Sequence, residues 1–300
     1  MTAEPRPASS PRFGLFLGQA NKSLSQVQDE FRMAEDLGFD HAWLVDHLVD
    51  TDGPPGHPIL EAWTLLAALA AQTSRIRLGV LVTSNTFRHP AVLLKAAVTV
   101  DHISGGRLIL GLGTGWHVDE HRRYGLDLPE AAERVDRFAE AVELISLLMA
   151  QERTTFRGVH YQLDDAPLEP RPVQTPRIPI LIAAHRPRML RLAARYADQW
   201  DTFAAMPETA TDGVETALAE RIRYLDEACR SIGRDPAEIR RSTWTTAAAL
   251  RSEDAYVDFV TRHRQLGFTD FSTVMPATAD LAVLRRVAEG VIPEMRAGRL

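Results

Sequence analysis

What most constrains this chain is an alternation of short apolar runs and amphipathic helical stretches, repeated eight times from Phe13 onward. Phe13–Leu17 precedes a helical stretch whose Leu24, Val27, Phe31 and Ala34 share one face. Leu37-Gly38 ends it, glycine being suited to the left-handed cap. Ala42–Val45 pairs with a helix over Ile59–Thr73, and Ile76–Val82 with one over Pro90–Ile103. Leu108–Leu112 is followed by Ala131–Ala150, striped by Val135, Phe138, Val142, Ile145 and Met149. Thr154 to Pro179 then breaks the rhythm. Phe156 to Tyr161 reads as a hairpin, and five prolines between Pro167 and Pro179 bar a helix. The alternation resumes with Ile180–Ala183 and Met189–Ala197, Trp200–Phe203 and Val214–Ile232, Arg241–Leu250 and Ala255–Leu266, then Phe271–Val274 and Leu281–Met295. Short apolar runs of this kind suit strands buried on both faces. Eight such units close a barrel, where five or six would favour an open doubly wound sheet. The expectation is an α/β chain: a (β/α)8 TIM barrel with a hairpin and proline-rich insertion between units four and five. One domain is expected over residues 12–300, after a disordered tail over residues 1–11.

Composition narrows the partners. A net charge of −6 offers no broad basic surface to phosphate backbones, so nucleic acid is not expected. The longest uncharged apolar stretch, Ala62 to Ser74, is shorter than the ~20 residues a bilayer-crossing helix needs. Cys229 is the only cysteine, which excludes an intrachain disulfide framework and a multi-thiolate metal site. The first residues lack the apolar core of a secretion signal, so a cytoplasmic protein is expected.

In such a barrel, chemistry sits where strands end and helices begin. Asp46-His47 closes run two, a carboxylate and an imidazole suited to proton transfer or to bonding a polar cofactor ring. Turn three, Thr83-Ser84-Asn85-Thr86-Phe87-Arg88-His89, is rich in groups that recognise a heteroaromatic edge, and Arg88 or His89 suits an anion. Turn four, Gly111 to Trp116, lets a backbone pass close to a bound ring that Trp116 would wall; packing within the barrel also explains Gly111 and Gly113. His117-Val118-Asp119-Glu120-His121 has the spacing of an inverted zinc-protease motif. Gly125 and Pro129 cut short the helix that motif needs, and no metal is expected. Ala183-Ala184-His185-Arg186 opens a helix whose free N–H groups suit a phosphate. Lys22 and Lys95 are the only lysines, and Lys95 lies away from the rim, which argues against Schiff-base chemistry.

These turns, in order, resemble the luciferase-like monooxygenase superfamily. The resemblance is carried by Asp46-His47, Leu78 to Thr83 running into Arg88-His89-Pro90, and Asp101 to Arg107. Gly111 to Trp116 and Arg195-Tyr196-Ala197-Asp198 complete it. It implies a homodimeric barrel with an inserted segment, binding a reduced flavin or deazaflavin at its strand C-termini. Asp-His after strand two is more like the branch that uses coenzyme F420, a deazaflavin, than the flavin mononucleotide (FMN) branch. By position, His47 would be the catalytic acid or base, and Asp46 would bond the ring. Leu81-Val82 would be a cis peptide forming a bulge behind it. Thr83, Ser84, Asn85, Thr114, Gly115 and His117 would line the cofactor, with Ala184 and His185 at its phosphate. Where relatives have consecutive glycines this chain has Ala183-Ala184, and where sugar-phosphate dehydrogenases have a catalytic Glu it has Trp116. Glucose 6-phosphate is therefore not the expected substrate. The reading is an oxidoreductase moving a hydride between coenzyme F420 and a small organic substrate. Its alternatives are an oxygen-using monooxygenase with reduced FMN and a flavin-binding protein without turnover.

Overall fold

The computed structural model describes residues 10–51, 53, 56–203, 213–277 and 281–300. Residues 1–9 of the expected tail, and part of the loop from Asp50 to His57, lie outside them. The first four staves are β1 (Arg12–Phe16), β2 (His41–Leu44), β3 (Arg77–Val80) with its short continuation β4 (Thr83–Ser84), and β5 (Leu108–Gly113). After a hairpin of β6 (Arg153–Arg157) and β7 (Gln162–Pro167) come β8 (Ile180–Ala183), β9 (Gln199–Asp201), β10 (Arg240–Thr245) and β11 (Asp270–Val274). Neighbouring staves pair in parallel, and pairing of β3 with β5 closes the ring that an open sheet would leave unpaired.

Helices α1 (Leu24–Asp36), α2 (Ala62–Gln72), α3 (Pro90–Ser104), the short α4 (Val118–Tyr124) and α5 (Ala131–Ala150) accompany the first half. α6 (Pro187–Tyr196), α7 (Gly213–Ser231), α8 (Glu253–Gln265), α9 (Leu281–Arg286) and α10 (Ile292–Arg296) accompany the second. Alternation of side chains along each strand separates two apolar cores. Phe13, Leu15, Leu44, Leu78, Leu110 and Ile182 pack outward under the helices. Trp43, Leu81, Ile109 and Leu181 fill the barrel's inside, with Phe16, Val82 and Trp244 half-buried on top of them. The α5 stripe is spent on the chain's own core, Phe138, Val142, Ile145 and Met149 being buried.

Local chemistry sets the boundaries that periodicity misplaced. α2 starts at Ala62, not Ile59, because the Glu61 carboxylate accepts from Trp63 and Thr64 N–H and caps it. The third apolar run stops as a strand at Val80, where the Leu81-Val82 peptide is cis. The seventh strand ends at Thr245, and Thr246 then caps a tight turn over Ala247–Leu250. The last helical stretch runs unbroken from 281 to 296, with a π turn at Val287–Val291 between α9 and α10. The hairpin forms as expected, its turn held by Glu140, which accepts from Val159, His160 and Tyr161 N–H.

Candidate active site

Asp46 and His47 are adjacent in sequence but serve different networks. Asp46 is buried, and Arg88 grips it through two nitrogens, Nη1 at 2.7 Å from Oδ2 and Nη2 at 3.0 Å from Oδ1. Ser84 N–H also donates to Oδ2 at 2.9 Å, tying the end of β2 to turn three. Arg88 reaches Glu61 as well, at 2.6 Å. Burial opposes its charge, yet the two carboxylates outweigh burial and hold the guanidinium above its usual range. Asp46 thus helps hold the site's wall, a buried carboxylate being paired with a cation.

His47 is half-buried, and its Nδ1 lies 3.0 Å from Glu120 Oε1. Glu120 is 1% exposed, and its other oxygen accepts from Leu48 N–H at 2.9 Å. Burial works against its ionisation, but His47 and Leu48 outweigh it and set the carboxyl below its usual range. An ionised acceptor places the imidazole hydrogen on Nδ1, which leaves Nε2 as an acceptor. Sequence reasoning met Glu120 only inside the zinc-like spacing and missed this pairing. The other members of that spacing are also committed. His117 Nδ1 accepts from Glu120 N–H and caps α4, while His121 Nδ1 donates to the His117 carbonyl at 2.7 Å. Among the described residues no three His, Cys, Asp or Glu side chains converge as a metal would require.

His121 also orders turn three. Its Nδ1 carries the hydrogen, so Nε2 accepts from Thr86 Oγ1 at 2.6 Å, and Thr86 in turn accepts from Ser84 Oγ at 2.7 Å. Gly115, at φ +79°, presses onto this chain: a Cβ there would lie 2.6 Å from both hydroxyl oxygens. Gly111 and Gly113 serve packing, since a Cβ would meet Val80 O at 2.1 Å and Val82 Cγ2 at 2.5 Å. Asp46, Ser84 and Gly115 are thereby joined at one mouth, with Thr114 and His117 half-buried beside them. Leu81 is 9% exposed, and Val82 is half-buried over the inner core. Asn85 turns away, donating to Tyr161 O–H at 3.2 Å in the inserted hairpin.

Two expected cofactor residues are buried. Thr83 is fully buried in register with Leu112, and its hydroxyl has no hydrogen-bond partner among the described residues. Ala184 is 1% exposed; its N–H donates to Asp201 O and its carbonyl accepts from Trp200 Nε1, which leaves no backbone group for a phosphate. His185 fits better. Arg221 Nη1 lies 3.1 Å from its Nδ1 and 2.9 Å from Thr202 Oγ1. Arginine only donates, so Nδ1 is bare and the His185 hydrogen sits on Nε2. Burial, then Arg221 and Arg186, push this imidazole down to about 4, so it stays neutral. Among the described residues, neither Arg186 nor Arg221 has a carboxylate partner, which makes this corner attractive to an anion. Both lysines are engaged, Lys22 by Glu30 and Lys95 by the Glu169 carbonyl.

Comparison with known proteins agrees with this architecture. The family described as luciferase-like monooxygenase matches residues 8–289. An F420-dependent glucose-6-phosphate dehydrogenase of Microbacterium testaceum (strain StLB037) is 30% identical, covering 95% of this chain and 97% of that one. An F420-dependent hydroxymycolic acid dehydrogenase of Mycobacterium tuberculosis is 31% identical over 85% of this chain and 69% of its own. The solved structure of an F420-dependent secondary alcohol dehydrogenase, in complex with an F420-acetone adduct, superposes with a TM-score of 0.79. It is 20% identical, with 93% of this chain and 98% of that one covered.

Proposed function

The chain belongs to the luciferase-like monooxygenase family, and from that premise we propose that it is an enzyme transferring a hydride between coenzyme F420 and a small organic substrate. The observation that carries the reading is His47, held at Nδ1 by Glu120 with Nε2 free of any described partner, at the mouth where an apolar shelf and a cationic corner meet. Relatives at 30% and 31% identity, named for dependence on F420, support it.

The mouth fits a deazaflavin nucleotide. Val82 and Leu81 offer a planar ring an apolar surface, and Arg186, Arg221 and the His185 Nε2–H suit its phosphate. Bound there, the deazaflavin supplies or accepts the hydride. The chain's own part is positioning and proton handling. Asp46, Arg88 and Ser84 keep the wall of turn three in place. Gly115 lets turn four approach it. His47 Nε2 takes the proton a substrate hydroxyl releases on oxidation, or returns it on reduction, while Glu120 fixes the ring's orientation and tautomer. The inner aromatic core excludes water beneath the reacting groups.

Parallel titration with reduced coenzyme F420 and reduced FMN tests the reading. Saturable binding of the deazaflavin with substrate-dependent turnover is the expected result. Binding of FMN alone, with oxygen consumption, would instead make the chain a monooxygenase. The family resemblance also supports a homodimer acting in the cytoplasm.

A further inference from the structure

The barrel mouth carries aromatic side chains beyond the residues that hold the cofactor. The cofactor residues follow β2 to β5 and β8; the ends of β9, beside β8, and of β10, β11 and β1 complete the ring. There Phe16 stacks on Trp244, with centroids 5.3 Å apart and 10° between planes, and Phe203 leans on the same Trp244 at 5.4 Å. Phe203 is 38% exposed although it closely follows a barrel strand. On the nearer side Trp116 is 62% exposed, its ring edge-on to His47 at 5.7 Å and 86°. Trp116 therefore presents aromatic surface beside the imidazole that handles the proton, and Phe203 presents its own beside His185, whose ring it meets edge-on at 4.8 Å. Aromatic surface exposed beside a site, rather than scattered singly, marks a place where something apolar binds.

Charge narrows what that is. Close to His47, the Glu120 carboxylate would repel an anion, and the Arg88 guanidinium is already consumed by Asp46 and Glu61. The described residues that end β10 and β11 at the mouth, Thr245, Thr246, Val274 and Met275, carry no charge. Arg186 and Arg221 flank His185, at the corner assigned to the cofactor's phosphate. A phosphoryl or carboxylate group on the substrate would lose its hydration beside His47 and gain no described cation in return.

We infer that the substrate is uncharged and carries an apolar ring or chain, gripped between Trp116 and the Phe203–Trp244 surface, with Trp116 determining that specificity. This deepens the proposed function and rests on it. Trp116 contributes contact area and shape rather than chemistry, so its loss weakens substrate binding without disturbing proton transfer at His47.

Calorimetric titration of the deazaflavin-loaded protein with cyclohexanol and, in parallel, with glucose 6-phosphate tests it, after the cofactor titration itself. Cyclohexanol is expected to bind saturably and glucose 6-phosphate at least about tenfold more weakly. Trp116→Ala is expected to weaken cyclohexanol about tenfold with the melting temperature unchanged, and Trp116→Phe to stay within about threefold of the parent. In turnover the Trp116→Ala effect falls on KM rather than kcat. Tighter binding of glucose 6-phosphate overturns the inference, as does no saturable cyclohexanol binding or a Trp116→Ala protein that binds it like the parent. If coenzyme F420 itself fails to bind, the functional reading falls and takes this inference with it; normal cofactor binding with failed cyclohexanol binding removes the inference alone.

Discussion

Glu120 divides its two oxygens between His47 and the Leu48 N–H, and both bonds depend on its being ionised or at least an acceptor. In Glu120→Gln the amide oxygen still serves Leu48, but the amide N–H faces Nδ1. The imidazole hydrogen then moves to Nε2, where it blocks proton acceptance. A fall in kcat of about a hundredfold is expected with cofactor affinity unchanged, read by steady-state kinetics beside a cofactor titration. Asp201 makes a different residue-scale case. It is 3% exposed inside the barrel, bonded to the Ser242 hydroxyl. Burial pushes its carboxyl up to about 7, with Ser242 opposing and Asp270 adding. The folded pKa lies above the unfolded one, so folding favours the protonated acid. The penalty is absent below about pH 4, grows through the window between, and is complete above about pH 7. Asp201→Asn is expected to be more stable than the parent at about pH 8, by on the order of 4 kcal/mol, and equal to it near pH 4. Chemical denaturation at the two pH values checks this, and a gain independent of pH would refute it.

Turn three is an element held together by its neighbours. Arg88 is its anchor to β2, and Arg88→Ala leaves Asp46 buried without its cation. A loss of about 3–5 kcal/mol is expected, measured by urea denaturation, since breaking a buried pair costs more than forming it gains. Gly115 is the anchor to turn four. Gly115→Ala places a methyl against Ser84 and Thr86 at a positive φ, and an expected cost of about 1–3 kcal/mol comes with weakened cofactor binding. A fully stable Gly115→Ala protein with parental affinity would show that the two turns do not need this contact. Element ends were the least legible part of the sequence for the same reason. Glu61 and Thr246 set the limits of α2 and β10, whereas hydrophobic spacing reports only which face is apolar.

At the scale of the whole molecule, closure through β3 and β5 puts turns two, three and four side by side and gives the barrel separate inner and outer cores. A homodimer, supported by the family resemblance, is expected to show the mass of two chains in light scattering; a single-chain mass would refute it. The α5 stripe is not offered to a partner, since the chain buries Phe138, Val142, Ile145 and Met149 itself. By itself the sequence determined the count of eight strand–helix units, the inserted hairpin and the turns that carry polar groups. Periodicity of two or 3.6 residues and the backbone limits of proline and glycine are local properties. Only the tertiary structure decided which polar groups are free. Asp46 was drawn off by Arg88, 42 residues away, Ala184 by Asp201 and Trp200, and His47 was given to Glu120, 73 residues away. Hydrogen-bonding capacity is a property of a side chain, but whether it is already spent depends on what folding brings within 3 Å.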